Sequence, residues 1–127
     1  MSSASERDLA LLQGTWVQVG LETDGIPNAA DSESPGGVFT VFVGREFFAR
    51  AADGTLILAG TFTLDATASP RSITWVDSMG PDEGKALPAI YVLDGDAFKF
   101  IAGNEDEPRP TTFATVVGQT MRTFRRT

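Results

Sequence analysis

Leu12-Gln13-Gly14-Thr15-Trp16-Val17-Gln18-Val19-Gly20-Leu21-Glu22 is where the chain changes its period. Upstream, Leu9 and Leu12 stand three residues apart on one helical face. Ser5-Glu6-Arg7-Asp8 reads as a helix start, with Ser5 as cap and Asp8 reaching back to it. The pattern predicts a helix over 5–13, with residues 1–4 disordered. So short a helix is marginal alone; it needs a surface to cover, and the end of a β-barrel is one. Downstream of Gly14 the residues are β-branched and alternating, which predicts a strand over 15–23. Val17, Val19 and Leu21 share one face of it; Trp16, Gln18, Gly20 and Glu22 share the other. Neither face is purely polar. That suits a barrel wall with a partly polar interior, or a bulge near Gly20.

Working outward, seven more strands are expected, over 38–43, 46–51, 55–64, 72–76, 87–93, 97–102 and 119–126. Turn chemistry separates them: Asp24-Gly25-Ile26-Pro27-Asn28, Gly44-Arg45, Asp53-Gly54, Gly80-Pro81-Asp82-Glu83-Gly84-Lys85 and Asp94-Gly95-Asp96. Asp31 to Gly37 is the longest expected loop, and residues 111–117 read as extended or helical at their start. Eight strands joined mostly by hairpins form a meander. Eight is also a number at which such a sheet closes and removes its edges. The fold class is therefore all-β: an eight-stranded antiparallel up-and-down barrel with a short N-terminal helix, in a single domain over 1–127. The 13 glycines and 7 prolines agree with many turns, and 127 residues suffice for one core but not two domains.

Composition narrows the chemistry. The chain has no cysteine and no histidine. That removes disulfides, thiolate zinc sites, a Ser-His-Asp triad and imidazole ligation. With them goes most of the usual catalytic repertoire, so a non-enzyme without cofactor or metal is expected. A net charge of −7 repels phosphate backbones, which argues against nucleic acid as partner. No apolar run reaches membrane-spanning length, and the first residues have neither a basic nor an apolar leader pattern; a soluble cytoplasmic protein is the expectation.

Three acidic stretches invite a site reading. Asp94-Gly95-Asp96 has too few ligands for a calcium loop and reads as a hairpin turn. Gly80 to Lys85 lacks the Gly-Lys-Ser/Thr ending of a phosphate loop. Glu105, Asp106 and Glu107 read as a solvated run. The aromatic residues are the better candidates. Trp16, Phe42, Phe62, Trp75, Tyr91, Phe98, Phe100 and Phe113 are expected to face the barrel interior. There they either fill it or line a cavity for a small apolar or amphipathic ligand. The competing reading is an interaction module with a filled barrel, homodimeric through Val17, Val19 and Leu21. A third, an enzyme with Tyr91 or a carboxylate as acid/base, is the least favoured.

Gly14-Thr15-Trp16 resembles the G-x-W motif of the lipocalins, placed as there between a helical turn and the first strand. Leu12–Trp16, Gly60-Thr61-Phe62-Thr63-Leu64-Asp65, Gly80–Lys85, Ile90-Tyr91-Val92-Leu93-Asp94-Gly95-Asp96 and Arg109-Pro110-Thr111-Thr112-Phe113 occur in that order. Together they resemble a family of small uncharacterised bacterial lipocalin-like domains, abundant in planctomycete-type genomes. The likeness covers about residues 9–126. It implies a lipocalin-like barrel of unknown function. It also implies that Trp16 packs across the barrel floor beneath an arginine of the last strand, for which Arg122, Arg125 and Arg126 are the candidates. A guanidinium stacked on an indole shields that end from water as a cation–π contact.

Overall fold

The computed structural model describes residues 3–27, 38–80 and 82–126. The loop expected over 31–37 lies outside these residues, as does Pro81. Helix α1 spans Ser3–Leu12, so Ser3 and Ala4, expected to be disordered, are helical. Ser5, Asp8, Leu9 and Leu12 fall on one face at helical spacing. Ser5, Asp8 and Leu12 are buried. Two polar residues can be buried because the barrel end offers them partners. Ser5 Oγ accepts the Ala66 N–H at 2.9 Å, and Asp8 accepts the Tyr91 hydroxyl at 2.6 Å and Arg71 Nη1 at 3.0 Å. The expected helix start at Ser5 is thus corrected to Ser3, and Ser5 and Asp8 bond across to the barrel end.

Strands follow at Gly14–Thr23 (β1), Ile26–Pro27 (β2), Phe39–Val43 (β3), Glu46–Arg50 (β4), Leu56–Asp65 (β5), Ser72–Asp77 (β6), Ala86–Asp94 (β7), Ala97–Ala102 (β8) and Thr120–Arg126 (β9). The two-residue β2 folds back on the end of β1 across Asp24-Gly25. The other eight pair in sequence order, all antiparallel, and β1 also pairs with β9. The barrel is closed, and no long free edge remains among the described residues. No helix among the described residues is long and apolar enough to cross a membrane.

A bulge between Gln18 and Gly20 re-aims β1. Up to Gln18 the even residues face inward: Trp16 lies opposite Arg126 and Gln18 opposite Phe124. Beyond it Leu21 lies opposite Arg122 and is buried, because directly opposed residues share a face. Val19 stays outside, 55% exposed. The apolar stripe of Val17, Val19 and Leu21, the expected homodimer face, is therefore broken by the bulge.

Residues 103–119, between β8 and β9, form no regular element but are firmly tied. Arg109 donates to the carbonyls of Ile73 and Ala89 at 3.0 and 2.7 Å, and to Thr74 Oγ1 at 3.0 Å. Thr115 donates to Glu22 Oε2 from both its N–H and its hydroxyl, at 2.8 and 2.6 Å. Those two bonds hold the Glu22 carboxyl below the usual carboxylate range. The Gly118 N–H meets Asp24 Oδ1 at 2.8 Å. Ile90 and Ile101, opposed on the outer face of β7 and β8, are fully buried; this segment packs over that face. Phe113 belongs to it. Its ring sits under Lys99 Nζ at 5.0 Å, and Lys99 alternates outward between Phe98 and Phe100. Phe113 is thus corrected from the interior to the outer wall: it lies on a covering segment, not on a strand.

Candidate functional site

The two ends of the barrel differ, and Gly14-Thr15-Trp16 builds the closed one. Gly14 has φ 113°, a left-handed value that lets the chain leave the helix and enter β1 at once. Trp16 is fully buried, and its indole N–H donates to the Leu12 carbonyl at 2.8 Å. Arg126 lies over the ring, its guanidinium carbon 4.2 Å from the centroid. The same guanidinium donates to the carbonyls of Gln13 (2.9 Å) and Leu11, and approaches Asp96 at 3.5 Å. These are helix-end carbonyls without intrahelical donors, so one side chain covers the floor and caps α1. Of the three candidates, Arg126 is the cover. Arg125 is exposed on the outside. Arg122 faces inward at the other end, donating to Gln18 Oε1 at 3.0 Å. A strand's two-residue period puts 122, 124 and 126 inside and 125 outside.

Above the floor lies a packed aromatic layer. Trp16, Phe62, Tyr91 and Phe98 are each 0–1% exposed, which leaves them no access to a ligand. Phe42 meets Phe62 edge-on at 5.5 Å and Phe98 at 5.9 Å. Tyr91 is committed to Asp8, and burial followed by that hydrogen bond pushes its hydroxyl above the usual phenol range. It serves as a structural donor, far from the open end.

Beyond this layer the barrel opens. A cavity of about 310 Å³ is bounded below by Phe42, Phe47, Trp75, Phe100 and Phe124. Nearer the mouth it is bounded by Val38, Ala49, Leu58, Leu87, Ala102 and Gly118. So the interior is filled at one end and open at the other. Of the eight aromatic residues expected inside, Phe42, Trp75 and Phe100 line the cavity. Trp75 is the hub: its ring is 5.1 Å from Phe47, 5.6 Å from Phe62 and 4.8 Å from Phe100. Its indole N–H is buried without a hydrogen-bond partner among the described residues.

Among the lining residues that the sequence reading does not assign to the interior are Phe47, Phe124 and Asp77, and Arg122, a candidate for the floor, lines the cavity instead. Asp77 continues the alternation Ile73, Trp75 by one more step, a signal lost when the strand is ended at residue 76. Phe124 alternates with Arg122 and Arg126 in the same way. Phe47 stands beside Phe48, and two adjacent aromatics leave the inward one undecided.

Asp77 is 7% exposed and lines the cavity with Asp82. Among the described residues no hydrogen-bond donor reaches its carboxylate. Burial first, then the charge of Asp82, raises its pKa above the usual aspartate value. The folded chain therefore holds this proton more tightly than the unfolded chain. Stability from this group is present at low pH and is lost as pH rises through the raised value. Asp77→Asn is expected to stabilise the protein at pH 7 by about 1 kcal/mol. The advantage over wild type should shrink as pH falls and Asp77 protonates. Urea unfolding at several pH values measures it, and a variant less stable than wild type at pH 7 contradicts the assignment.

The turn at Asp94-Gly95-Asp96 is a hairpin between β7 and β8, with Gly95 at φ 58°. Lys85 pairs with Asp82 at 3.7 Å across the turn between β6 and β7. Glu107 accepts from Asn104 within its own loop. No family model, curated protein or solved structure matches the chain, so the reading of the site rests on its geometry.

Proposed function

We propose that this chain is a lipocalin-like binding protein of the small bacterial type that its motifs resemble, and that it holds a small amphipathic molecule in the barrel without transforming it. The observation that carries this reading is the open cavity of about 310 Å³ above a fully packed floor. That volume lies at the small end of the range for small-molecule sites, and its wall is mainly apolar with a few polar groups, the usual make-up of such sites. A barrel serving only as scaffold gains nothing from leaving this space unfilled, since packed side chains would add stability. The filled-barrel alternative lacks such support.

A neutral solvatochromic dye, Nile red, tests the reading. Saturable one-to-one binding is expected, with energy transfer from Trp75 at the cavity wall. Ala102→Trp places an indole in the cavity and should weaken the dye by at least about tenfold, equivalent to ~1.4 kcal/mol. If the dye does not bind, or binds equally well to the variant, the cavity is not a ligand site.

A further inference from the structure

The cavity is aromatic, but its polar groups are not evenly matched. Away from the cavity, Asp8 and Glu22 each accept two hydrogen bonds from named donors. Asp77 is 7% exposed, like Asp8, but its carboxylate opens on the cavity and accepts no hydrogen bond from the described residues. Polar groups drawn away from bulk water are nearly always partnered, and a carboxylate facing a mainly apolar cavity is costly without a partner. Here the exception faces a cavity, so the missing partner has a place to sit.

The neighbours of Asp77 specify that partner. Asp77 stands opposite Gly60, which stands opposite Phe47 on its other side. With Trp75 two residues before it on the same face, Asp77 has aromatic rings beside it and Asp82 near it at the rim. An ammonium group gains from both: a charge-assisted hydrogen bond to the carboxylate and cation–π contact with the rings. The lining contains one positive side chain among the described residues, Arg122, on β9. That guanidinium already donates to Gln18, and three strand steps separate β9 from β6. The net charge of −7 further favours entry of a cation over an anion.

We infer that the ligand is an organic amine whose ammonium group pairs with Asp77 and whose apolar part lies against Phe42, Phe47, Trp75 and Phe100. This rests on the cavity being a binding site, as proposed above. An anion is disfavoured by Asp77 and Asp82 together. A hydrocarbon leaves Asp77 without a partner, and a neutral alcohol offers it one hydrogen bond but no compensating charge.

Three eight-carbon probes differing only in the head group separate these cases: n-octylamine, n-octanol and n-octanoate, each competed against Nile red at pH 7. Octylamine is expected to bind at least about tenfold more tightly than octanol, with octanoate the weakest. Asp77→Asn, expected to fold more stably than wild type, should bring octylamine to the level of octanol and leave octanol unchanged. Equal binding of the three, or a preference for octanoate, overturns the amine assignment while the cavity reading stands. Nile red binding that none of the probes displaces overturns it as well. Failure of Nile red itself removes both. Because the wild-type ranking decides the matter alone, the inference does not depend on the variant.

Discussion

Trp16→Ala is expected to lower the unfolding free energy by about 4 kcal/mol, a large-to-small change in a site that cannot collapse. The site is held open from every side. Phe98 sits 6.0 Å from the indole within the packed layer. The Arg126 guanidinium lies 4.2 Å away on the other face and is fixed there by the helix-end carbonyls of Leu11 and Gln13. Removing the indole also strips the Leu12 carbonyl of its donor. Arg126→Ala should cost less, about 1–2 kcal/mol, because it uncovers the ring without emptying the core. The two residues touch, so their effects should be non-additive in the double variant. Urea unfolding followed by far-ultraviolet circular dichroism measures all three. A loss under about 1 kcal/mol for Trp16→Ala would place the indole outside the core and refute the floor.

The contrast between floor and mouth explains which features are legible in the sequence. Strand positions follow from alternation and turn residues, both local properties, so the hairpins from β3 to β8 are legible to within a residue or two. The floor is legible as well, because Gly14-Thr15-Trp16 joins a conformational requirement to a large apolar side chain. Four features are legible only in part or not at all. A bulge near Gly20 is one expectation from the mixed faces of the first strand, but only pairing with β9 fixes it between Gln18 and Gly20 and reveals on which side of it Leu21 falls. Ser5 and Asp8 form a plausible cap in one dimension; their true partners, Ala66, Tyr91 and Arg71, lie some sixty or more residues away. Phe113 is as apolar as Phe98, and hydrophobicity does not distinguish a strand's inner face from a segment folded over its outer one. Asp77 is the most instructive. A carboxylate at an inward position breaks the apolar pattern, and places where a local rule fails are often functional.

Gly60→Ala should destabilise the protein by about 3 kcal/mol, at the upper end of overpacking costs, and the sign is the informative part. In an ordinary extended segment, glycine to alanine stabilises by reducing the freedom of the unfolded chain. Gly60 does not have the positive φ found at Gly44, Gly54 or Gly95, so conformation alone would allow alanine. Space would not. A Cβ at position 60 meets the Val76 carbonyl oxygen at 2.2 Å, the Phe47 ring at 2.8 Å and the Asp77 Cα at 2.9 Å. Two of these are backbone atoms of the neighbouring strand, which cannot rotate away; only the Phe47 ring can yield. Gly44→Ala is the matched control: it has φ 61° and nothing within 4 Å of an added Cβ, so it should cost only about 1 kcal/mol of backbone strain. If the two variants lose equal stability, steric contact is not what position 60 requires. If Gly60→Ala loses more, adding Phe47→Leu should restore part of the loss by removing the one clash that can be relieved. The same substitution also tests the site, because Phe47 and Asp77 meet across Gly60. A displaced ring or a shifted β6 moves the cavity wall, and Nile red affinity should fall along with stability. In the Gly44→Ala control, at the floor end, affinity should hold. Glycine at position 60 thus lets an aromatic ring and a buried carboxylate occupy one wall of the cavity, which is the arrangement an amine would read.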